Sequence, residues 1–387
     1  VQKYLRAKKS KALLSLESEY GVKSREYKDR IVLNYGLVNS GGLGLFCPGC
    51  DYRGSQVTCP ICKTDMLSIK FHPIVRECRA LILAKTNYEV LSRTFDRFYN
   101  YGEDPNFSKF PINQAIAEEK IDGSIIAVYH DGETWCCASR SMAFAEGVLP
   151  AGKLGALETF KDLFVSVVGK NYPDYFENKD HVYIFEVVSP LSQVVKSYPQ
   201  NALYLLAIRD KKTGCYMPLV TSDKWLLPQK FSFDSIDNIK KSMEHLQPTD
   251  EGYVVVYRGY DKVWRIKVKN PSYLAISNLH SNGKISTRSI ATLIFAQDHN
   301  EYLQSFPEKA MLFEPFIEAY HKMVEQLQSS YNSFKDIERQ KDFAIAIKDI
   351  PGKEILFVMK NKKRSLNDVL DELHKNNKVG LLKKFME

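Results

Sequence analysis

A pair of C-x-x-C motifs in the N-terminal part of this chain restricts its fold more than any other feature. Cys47 and Cys50 form the first motif, and Cys59 and Cys62 form the second. Two such knuckles bring four thiolates to one cation in a closed tetrahedral site, which leaves no coordination position open for chemistry. We therefore expect a small zinc ribbon at residues 41–70 that holds a structural Zn²⁺ ion. Iron with similar ligands, a pair of disulfides, or free thiols are the alternatives.

The composition is that of a soluble protein with more than one domain. The chain has 387 residues, of which 44% are apolar and 26% are charged, and this length predicts two or three domains. No apolar run approaches the roughly 18 residues that a membrane span needs, and residues 1–6 lack the apolar core of a signal peptide. We therefore expect a cytoplasmic protein without membrane contact. The formal net charge of +8 is compatible with a polyanionic partner.

A lysine ahead of a predicted strand is the first candidate for chemistry. Lys120 is followed by Asp122 and Gly123, and the apolar residues 125–129 predict a strand. Short K-x-D-G matches are common by chance, and a surface lysine before a turn is the simplest interpretation. The significance of Lys120 therefore depends on which motifs lie downstream of it in the chain.

Two acidic residues attached to strands come next. Glu186 interrupts the mostly apolar run at residues 181–188, where an unpaired carboxylate is costly to bury. It therefore either pairs with a basic residue or serves a site. Glu251 and Gly252 open another apolar strand.

A third strand carries cations on one face. Arg265, Lys267 and Lys269 alternate with apolar residues, and residues two apart in a strand point the same way. Three cations on one face repel each other unless the face is solvated or binds an anion. After Pro271 the pattern becomes helical, so we place a domain boundary near residue 270, between residues 1–270 and a helical domain at residues 271–387.

The order of these motifs resembles that of the covalent nucleotidyltransferase superfamily of ligases and capping enzymes. Within it, the chain is most similar to the phage T4 RNA ligase 1 family. Residues 76–82 resemble that family's E-C-R-G-I-x-F strand, and residues 93–103 resemble its R-P-x-x-K-F-F-N-x-G-E segment. The resemblance covers residues 30–270 and extends to the C-terminal domain only through its helical character.

This resemblance implies an α+β fold, in which an adenylyltransferase domain of antiparallel sheets with flanking helices precedes an all-helical domain that selects the RNA. It also implies an ATP-dependent RNA ligase, a phosphodiester-forming enzyme that joins 5′-phosphate and 3′-hydroxyl RNA ends. Lysyl-AMP and RNA-adenylate are the expected intermediates. The expected RNA is single-stranded or has broken tRNA-like ends, with tRNA repair as one role. A monomer encoded by a bacteriophage and active in the host cytoplasm is expected.

The resemblance assigns roles to individual residues. Lys120 is the nucleophile that attacks the α-phosphate of ATP, and neighbouring cations such as Lys267 and Lys269 could lower the pKa of its amine. Gly123 would let the backbone approach the nucleotide. The implied nucleotide contacts are Arg79, Arg97, Tyr99, Lys120, Gly123, Arg140, Glu186, Glu251, Gly252, Lys267 and Lys269. The implied Mg²⁺ ligands are Glu186, Glu251 and Asp298.

Some points stay open at this stage. Ala80 and Arg97 replace a glycine and a lysine of the family pattern, and arginine differs from lysine in geometry. The four-cysteine insertion is not part of the phage T4 pattern, and it either braces the N-terminal region or contacts RNA. An mRNA guanylyltransferase or a DNA ligase is the alternative enzyme, although both normally follow the last motif with an OB fold rather than helices. A non-catalytic zinc-ribbon RNA-binding protein is the alternative without chemistry.

Overall fold

The structure is a computed structural model, and it describes residues 1–8, 11–35, 44–150, 157–260, 263–280, 286–295, 299, 303, 310–364, 366–371, 373 and 375–386. The chain divides into two compact units, Val1–His245 with Gly252–Lys269, and Leu246–Glu251 with Asn270–Glu387. The chain therefore leaves the first unit for the last time after Lys269, while the short segment 246–251 groups with the second unit. Among the described residues no helix is long and apolar enough to cross a membrane.

The first unit is built mainly from β-sheets. Its strands are β1 (Val22–Glu26), β2 (Arg30–Tyr35), β3 (Leu45–Phe46), β4 (Arg53–Gly54), β5 (Leu67–Ser68), β6 (Leu81–Ala84), β7 (Val90–Ser92), β8 (Tyr99–Asn100), β9 (Ile116–Glu119), β10 (Ser124–His130), β11 (Trp135–Ser139), β12 (His181–Val188), β13 (Ala202–Asp210), β14 (Tyr216–Met217), β15 (Lys230–Ser232), β16 (Gly252–Arg258) and β17 (Val263–Lys269). Its helices are Gln2–Lys8, Ala12–Tyr20, Pro73–Glu77, Phe160–Val168 and Ile236–Met243.

These strands form a four-stranded sheet with the order β1-β2-β6-β7, a three-stranded ribbon with the order β4-β3-β5, and two five-stranded sheets. The five-stranded sheets have the orders β11-β10-β12-β13-β14 and β15-β9-β16-β17-β8. Neighbouring strands are antiparallel, except that β8 runs parallel to β17. The predicted α+β fold with antiparallel sheets, a cysteine-bearing ribbon and C-terminal helices is confirmed.

Strand β12 is nearly continuously apolar because it is central in its sheet and buried on both faces. Phe185 faces a core that includes Phe164 of the helix Phe160–Val168, with ring centroids 6.0 Å apart. Ile184 points to the opposite face and packs in a separate core. A strand covered on both sides needs apolar side chains at every position, so the carboxylate of Glu186 stands out.

The second unit is helical over its described residues. Its helices are Pro271–His280, Thr287–Phe295, Ala310–Phe334, Gln340–Ala346, Lys353–Lys362, Leu366–Asp371 and Lys375–Lys383. The long helix Ala310–Phe334 buries Phe313, Phe316, Met323 and Leu327 along one face, as helical periodicity requires.

The Lys120 motif is the link between the two five-stranded sheets. The chain leaves β9 at Glu119 and enters β10 at Ser124 in the other sheet, so residues 120–123 make the whole passage. A Cβ atom on Gly123 would lie 2.4 Å from the carbonyl oxygen of Val187, a distance that no side chain tolerates. The close approach that requires glycine here is therefore to strand β12, which differs from the predicted approach of the backbone to a nucleotide.

We predict that Gly123→Ala destabilises the protein. The added methyl group collides with backbone rather than with a flexible side chain, so the free energy of unfolding should fall by about 3 kcal/mol, the upper end of ordinary overpacking. Urea unfolding measures the change. Gly380→Ala is the control, because nothing lies within 4 Å of the added Cβ atom and alanine favours the helix that contains it. Equal stability of Gly123→Ala and the wild type would contradict the close packing.

Candidate active site

Lys120 is held by the backbone at the start of strand β16. Its N–H donates to the carbonyl oxygen of Gly252 over 2.9 Å, directly after the ladder that pairs Glu119 with Tyr253. Glu251 is buried and immediately precedes Gly252 in the chain. A main-chain hydrogen bond thus joins the Lys120 motif to the Glu251-Gly252 motif.

Asp122 serves a structural purpose within this motif. Its buried carboxylate accepts hydrogen bonds from the N–H groups of Val195, over 2.8 Å, and Lys196, over 2.7 Å. Charge-assisted bonds of this kind are about twice as strong as neutral ones. Asp122 therefore ties the segment after β12 to the link between the sheets. Nothing local in the sequence marks Val195 and Lys196, because the contact crosses more than seventy residues.

Glu186 lies beside the same link. It pairs with Ile125 across β10 and β12, and only 9% of its surface is exposed. Burial lowers the pKa of the Arg79 guanidinium, and the positive charge of Arg140 adds to this change, while the negative charge of Glu186 opposes it. The predicted pairing of Glu186 with a basic group and its place near the site are therefore compatible.

Four cations lie near one another, and two of them contact the ring of Phe98. The guanidinium carbon of Arg79 lies 4.8 Å from the ring centroid, and Nζ of Lys267 lies 5.3 Å from it. Burial, together with the positive charges of Arg79, Lys120 and Lys269, lowers the pKa of Lys267 to about 7, although the negative charge of Glu103 opposes this change. We call these four cations, Arg79, Lys120, Lys267 and Lys269, the cation cluster.

Two further predicted arginines share an aromatic partner. The guanidinium carbon of Arg97 lies 4.3 Å from the ring centroid of Tyr35, and that of Arg140 lies 5.2 Å from it. Such cation–π contacts orient a guanidinium without consuming its hydrogen-bond donors. Tyr35, at the end of β2, belongs to no recognised motif, so sequence reasoning missed it.

Tyr99 does not lie where the prediction placed it. Only 2% of its surface is exposed, its hydroxyl donates to the carbonyl oxygen of Lys70 over 2.6 Å, and its ring lies 4.9 Å from that of Phe71. A ring so enclosed cannot stack on a base, and it supports Arg97 from behind, at 5.1 Å. Neighbouring residues of an extended chain face opposite sides, so Phe98 faces the cation cluster instead.

Arg265, the third cation of β17, packs against aromatic rings rather than in either of the two arrangements expected from the sequence. It is 7% exposed, and its guanidinium carbon lies 4.1 Å from the ring centroid of Tyr216 and 4.9 Å from that of Phe95. Burial lowers the pKa of Arg265. Aromatic rings, rather than solvent or an anion, therefore accommodate this charge. The predicted Mg²⁺ ligand Asp298 lies outside the described residues.

The four predicted cysteine ligands converge on one point. Sγ atoms of Cys47, Cys50, Cys59 and Cys62 all lie within 4.8 Å of one another. The separations include 3.2, 3.6 and 3.7 Å, too long for disulfides, whose S–S bond is about 2.05 Å. Zn–S bonds of about 2.3 Å in a tetrahedron place sulfurs about 3.8 Å apart, so this donor set fits a zinc ion.

The chain is similar in sequence to known RNA ligases. A sequence profile of the RNA ligase family, of the T4 RNA ligase 1 type, matches residues 77–273, which is slightly more than half of the chain. The chain belongs to this RNA ligase family. The resemblance drawn from the motifs is thereby confirmed.

Individual relatives match to different extents. The chain is 30% identical over 268 residues to a putative bifunctional polynucleotide kinase/RNA ligase of Autographa californica nuclear polyhedrosis virus, over 64% of this chain but 37% of that protein. It is 25% identical over 369 residues to an RNA ligase of Rhodothermus phage RM378, over 75% of this chain and 82% of that protein. Among solved structures, an archaeal ATP-dependent RNA ligase matches with a TM-score of 0.41 and 14% identity, over 76% of this chain and 84% of that chain.

We predict that Lys267 makes stability depend on pH. Because its pKa in the folded protein is about 7 and that of a free lysine is about 10.4, the unfolded chain binds more protons between these values. The stability of the wild type should therefore rise from pH 7 to pH 10 relative to that of Lys267→Met.

Melting temperatures of both proteins across this range measure the effect, and Lys63→Met, at an exposed lysine, controls for the loss of a lysine as such. If the melting temperatures of the wild type and Lys267→Met changed in the same way between pH 7 and pH 10, this result would contradict the lowered pKa of Lys267.

Proposed function

We propose that this protein is an ATP-dependent RNA ligase that joins a 5′-phosphate to a 3′-hydroxyl through a lysyl-AMP intermediate on Lys120. The observation that carries the proposal is the cation cluster, which gathers four basic side chains from three chain segments beside the Glu186 carboxylate. Cations held together in this way stabilise a bound polyanion, and a triphosphate is the polyanion that matches a nucleophilic lysine. Membership of the RNA ligase family supports the same conclusion.

The first step would form a phosphoramidate. The Lys120 amine, having lost a proton to solvent, attacks the α-phosphorus of ATP, so an N–P bond forms as the bond to pyrophosphate breaks. Arg79, Lys267 and Lys269 neutralise the charge that grows on the leaving group. Arg97 and Arg140, oriented by Tyr35, are proposed to contact the triphosphate, and Gly252 fixes Lys120 through its carbonyl group.

Two further steps would complete sealing. The RNA 5′-phosphate attacks the lysyl-AMP phosphorus, which releases Lys120 and leaves AMP on the RNA as a phosphoanhydride. The 3′-hydroxyl then attacks the activated 5′-phosphate, and AMP departs. Glu186 and Glu251 are the proposed holders of Mg²⁺, with Asp298 as a further candidate. The metal ion would screen the phosphate charges when bound.

The remaining assignments extend the same proposal. Residues 1–270 would catalyse adenylyl transfer, and residues 271–387 would select the RNA, either single-stranded or with broken tRNA-like ends. The four cysteines would hold structural zinc. We propose a monomer that acts on RNA in the cytoplasm of a host cell, with tRNA repair as its role.

Labelling with α-³²P-ATP tests the proposal. The wild type should retain a covalent label, and Lys120→Ala should lose it, because no other group can replace the amine that forms the N–P bond. Lys161→Ala, at an exposed lysine on the helix Phe160–Val168, is the control and should label normally. Equal labelling of Lys120→Ala and the wild type would refute the assignment of Lys120.

Two further assays distinguish an RNA ligase from the other enzymes of the superfamily. Label from α-³²P-GTP instead of ATP would indicate a guanylyltransferase, and sealing of nicked DNA in preference to RNA would indicate a DNA ligase. A comparison of nicked duplex RNA, single-stranded RNA and a broken tRNA anticodon loop would identify the preferred RNA.

A further inference from the structure

One histidine connects the four-cysteine ribbon to the arginines of the site. His72 is 6% exposed, and its ring contacts those of Tyr20 and Phe46, with both centroid distances at 4.8 Å. It directly precedes the helix Pro73–Glu77. Its enclosed position means that its two ring nitrogens can make only a few defined contacts.

Those two nitrogens have different partners. Nδ1 accepts a hydrogen bond from the N–H of Ile74 over 3.1 Å and so caps the helix. An accepting Nδ1 carries no proton, so Nε2 carries the hydrogen and donates it to Oδ1 of Asp51 over 2.9 Å. Asp51 immediately follows Cys50 and has a left-handed backbone with φ of 59°. The first cysteine knuckle is thus linked through one side chain to the start of the helix.

The far end of this helix holds the predicted triphosphate arginines. The carbonyl oxygen of Arg76 accepts a hydrogen bond from the N–H of Arg97 over 2.6 Å, and the N–H of Arg79 donates to the carbonyl oxygen of Glu77 over 3.0 Å. Both Arg79 and Arg97 are therefore anchored to the helix that His72 caps.

A second connection between the ribbon and Arg97 runs through β5, the last strand of the ribbon. Strand β5 leads directly into a 3₁₀ turn, Ile69–Phe71. There the carbonyl oxygen of Lys70 accepts from the hydroxyl of Tyr99, the ring that supports Arg97. The two connections thus end at the same residue, one at the backbone N–H of Arg97 and the other at its guanidinium.

We propose that the metal-loaded ribbon positions Arg79 and Arg97 for the triphosphate of ATP through Asp51 and His72, so that His72 is a positioning residue for the first chemical step. This inference rests on the proposed function. It predicts a selective defect, because only lysyl-AMP formation involves a triphosphate. Sealing of RNA that already carries AMP needs neither pyrophosphate departure nor its contacts, so it should be unaffected.

Asp51→Gly is the sharpest test. Glycine accepts the left-handed backbone at this position, so the change removes the carboxylate without straining the knuckle. Lys63→Gly is a matched control, because Lys63 follows the fourth cysteine as Asp51 follows the second and has φ of 60°. Its side chain contacts only the carbonyl oxygen of Pro60 among the hydrogen bonds of the described residues.

For Asp51→Gly, we expect the KM for ATP in lysyl-AMP formation to rise by roughly tenfold, as misplaced positioning groups allow, with zinc content and sealing of pre-adenylated RNA at wild-type levels. Lys63→Gly should match the wild type in all three measurements. An unchanged KM in Asp51→Gly, or an equal loss in both steps, would overturn the proposal. A wild type that forms no lysyl-AMP would instead refute the proposed function.

Two substitutions of the histidine separate its contacts. In His72→Asn the short amide side chain can still accept from the N–H of Ile74 and cap the helix, but it cannot reach Asp51. In His72→Gln the longer amide can reach Asp51 but cannot cap the helix. If the link to the ribbon matters, His72→Asn should raise the KM for ATP as Asp51→Gly does, and adding Asp51→Gly to it should cause no further rise. Full additivity of the two changes would contradict a shared connection.

Discussion

Mutual repulsion among the four cations of the cluster is the constraint on which the first compact unit depends. Arg79, Lys120, Lys267 and Lys269 come from three separate segments of the chain, and burial together with the charges of the other three lowers the pKa of Lys267 to about 7. Such an arrangement opposes folding and is relieved when an anion binds. The architecture around it therefore has to hold these side chains in place despite their like charge.

Hydrogen bonds and aromatic rings hold the four cations in place. Main-chain hydrogen bonds and a buried carboxylate fix the link between the five-stranded sheets, with Lys120 bonded to Gly252 and Asp122 bonded to the segment after β12. Aromatic faces then take the cations, as Phe98 does for Arg79 and Lys267. A ring stabilises a cation by its quadrupole and offers no proton acceptor, so the positive charge stays available to a ligand.

Much of the site could be predicted because its signals are local. Lys120 before a strand, Glu186 within an apolar strand and the alternating lysines of β17 each combine a charge with a periodicity that is visible over a few residues. Which of the two rings, Phe98 or Tyr99, faces the cation cluster could not be predicted in the same way. Both are aromatic neighbours, and which of them faces the cations depends on how β8 docks beside β17.

The sequence by itself determined the four-cysteine ribbon, the alternation of strands and the change to helices after Pro271. The spacing of cysteines and the periodicity of apolar residues are properties of short segments. Only the tertiary structure decided that Gly123 is required by its contact with β12, that Asp122 binds Val195 and Lys196, and that His72 joins the ribbon to the arginines. These contacts join segments that are separated by 21 to 74 residues. Their geometry follows from the packing of whole sheets, which no local pattern encodes.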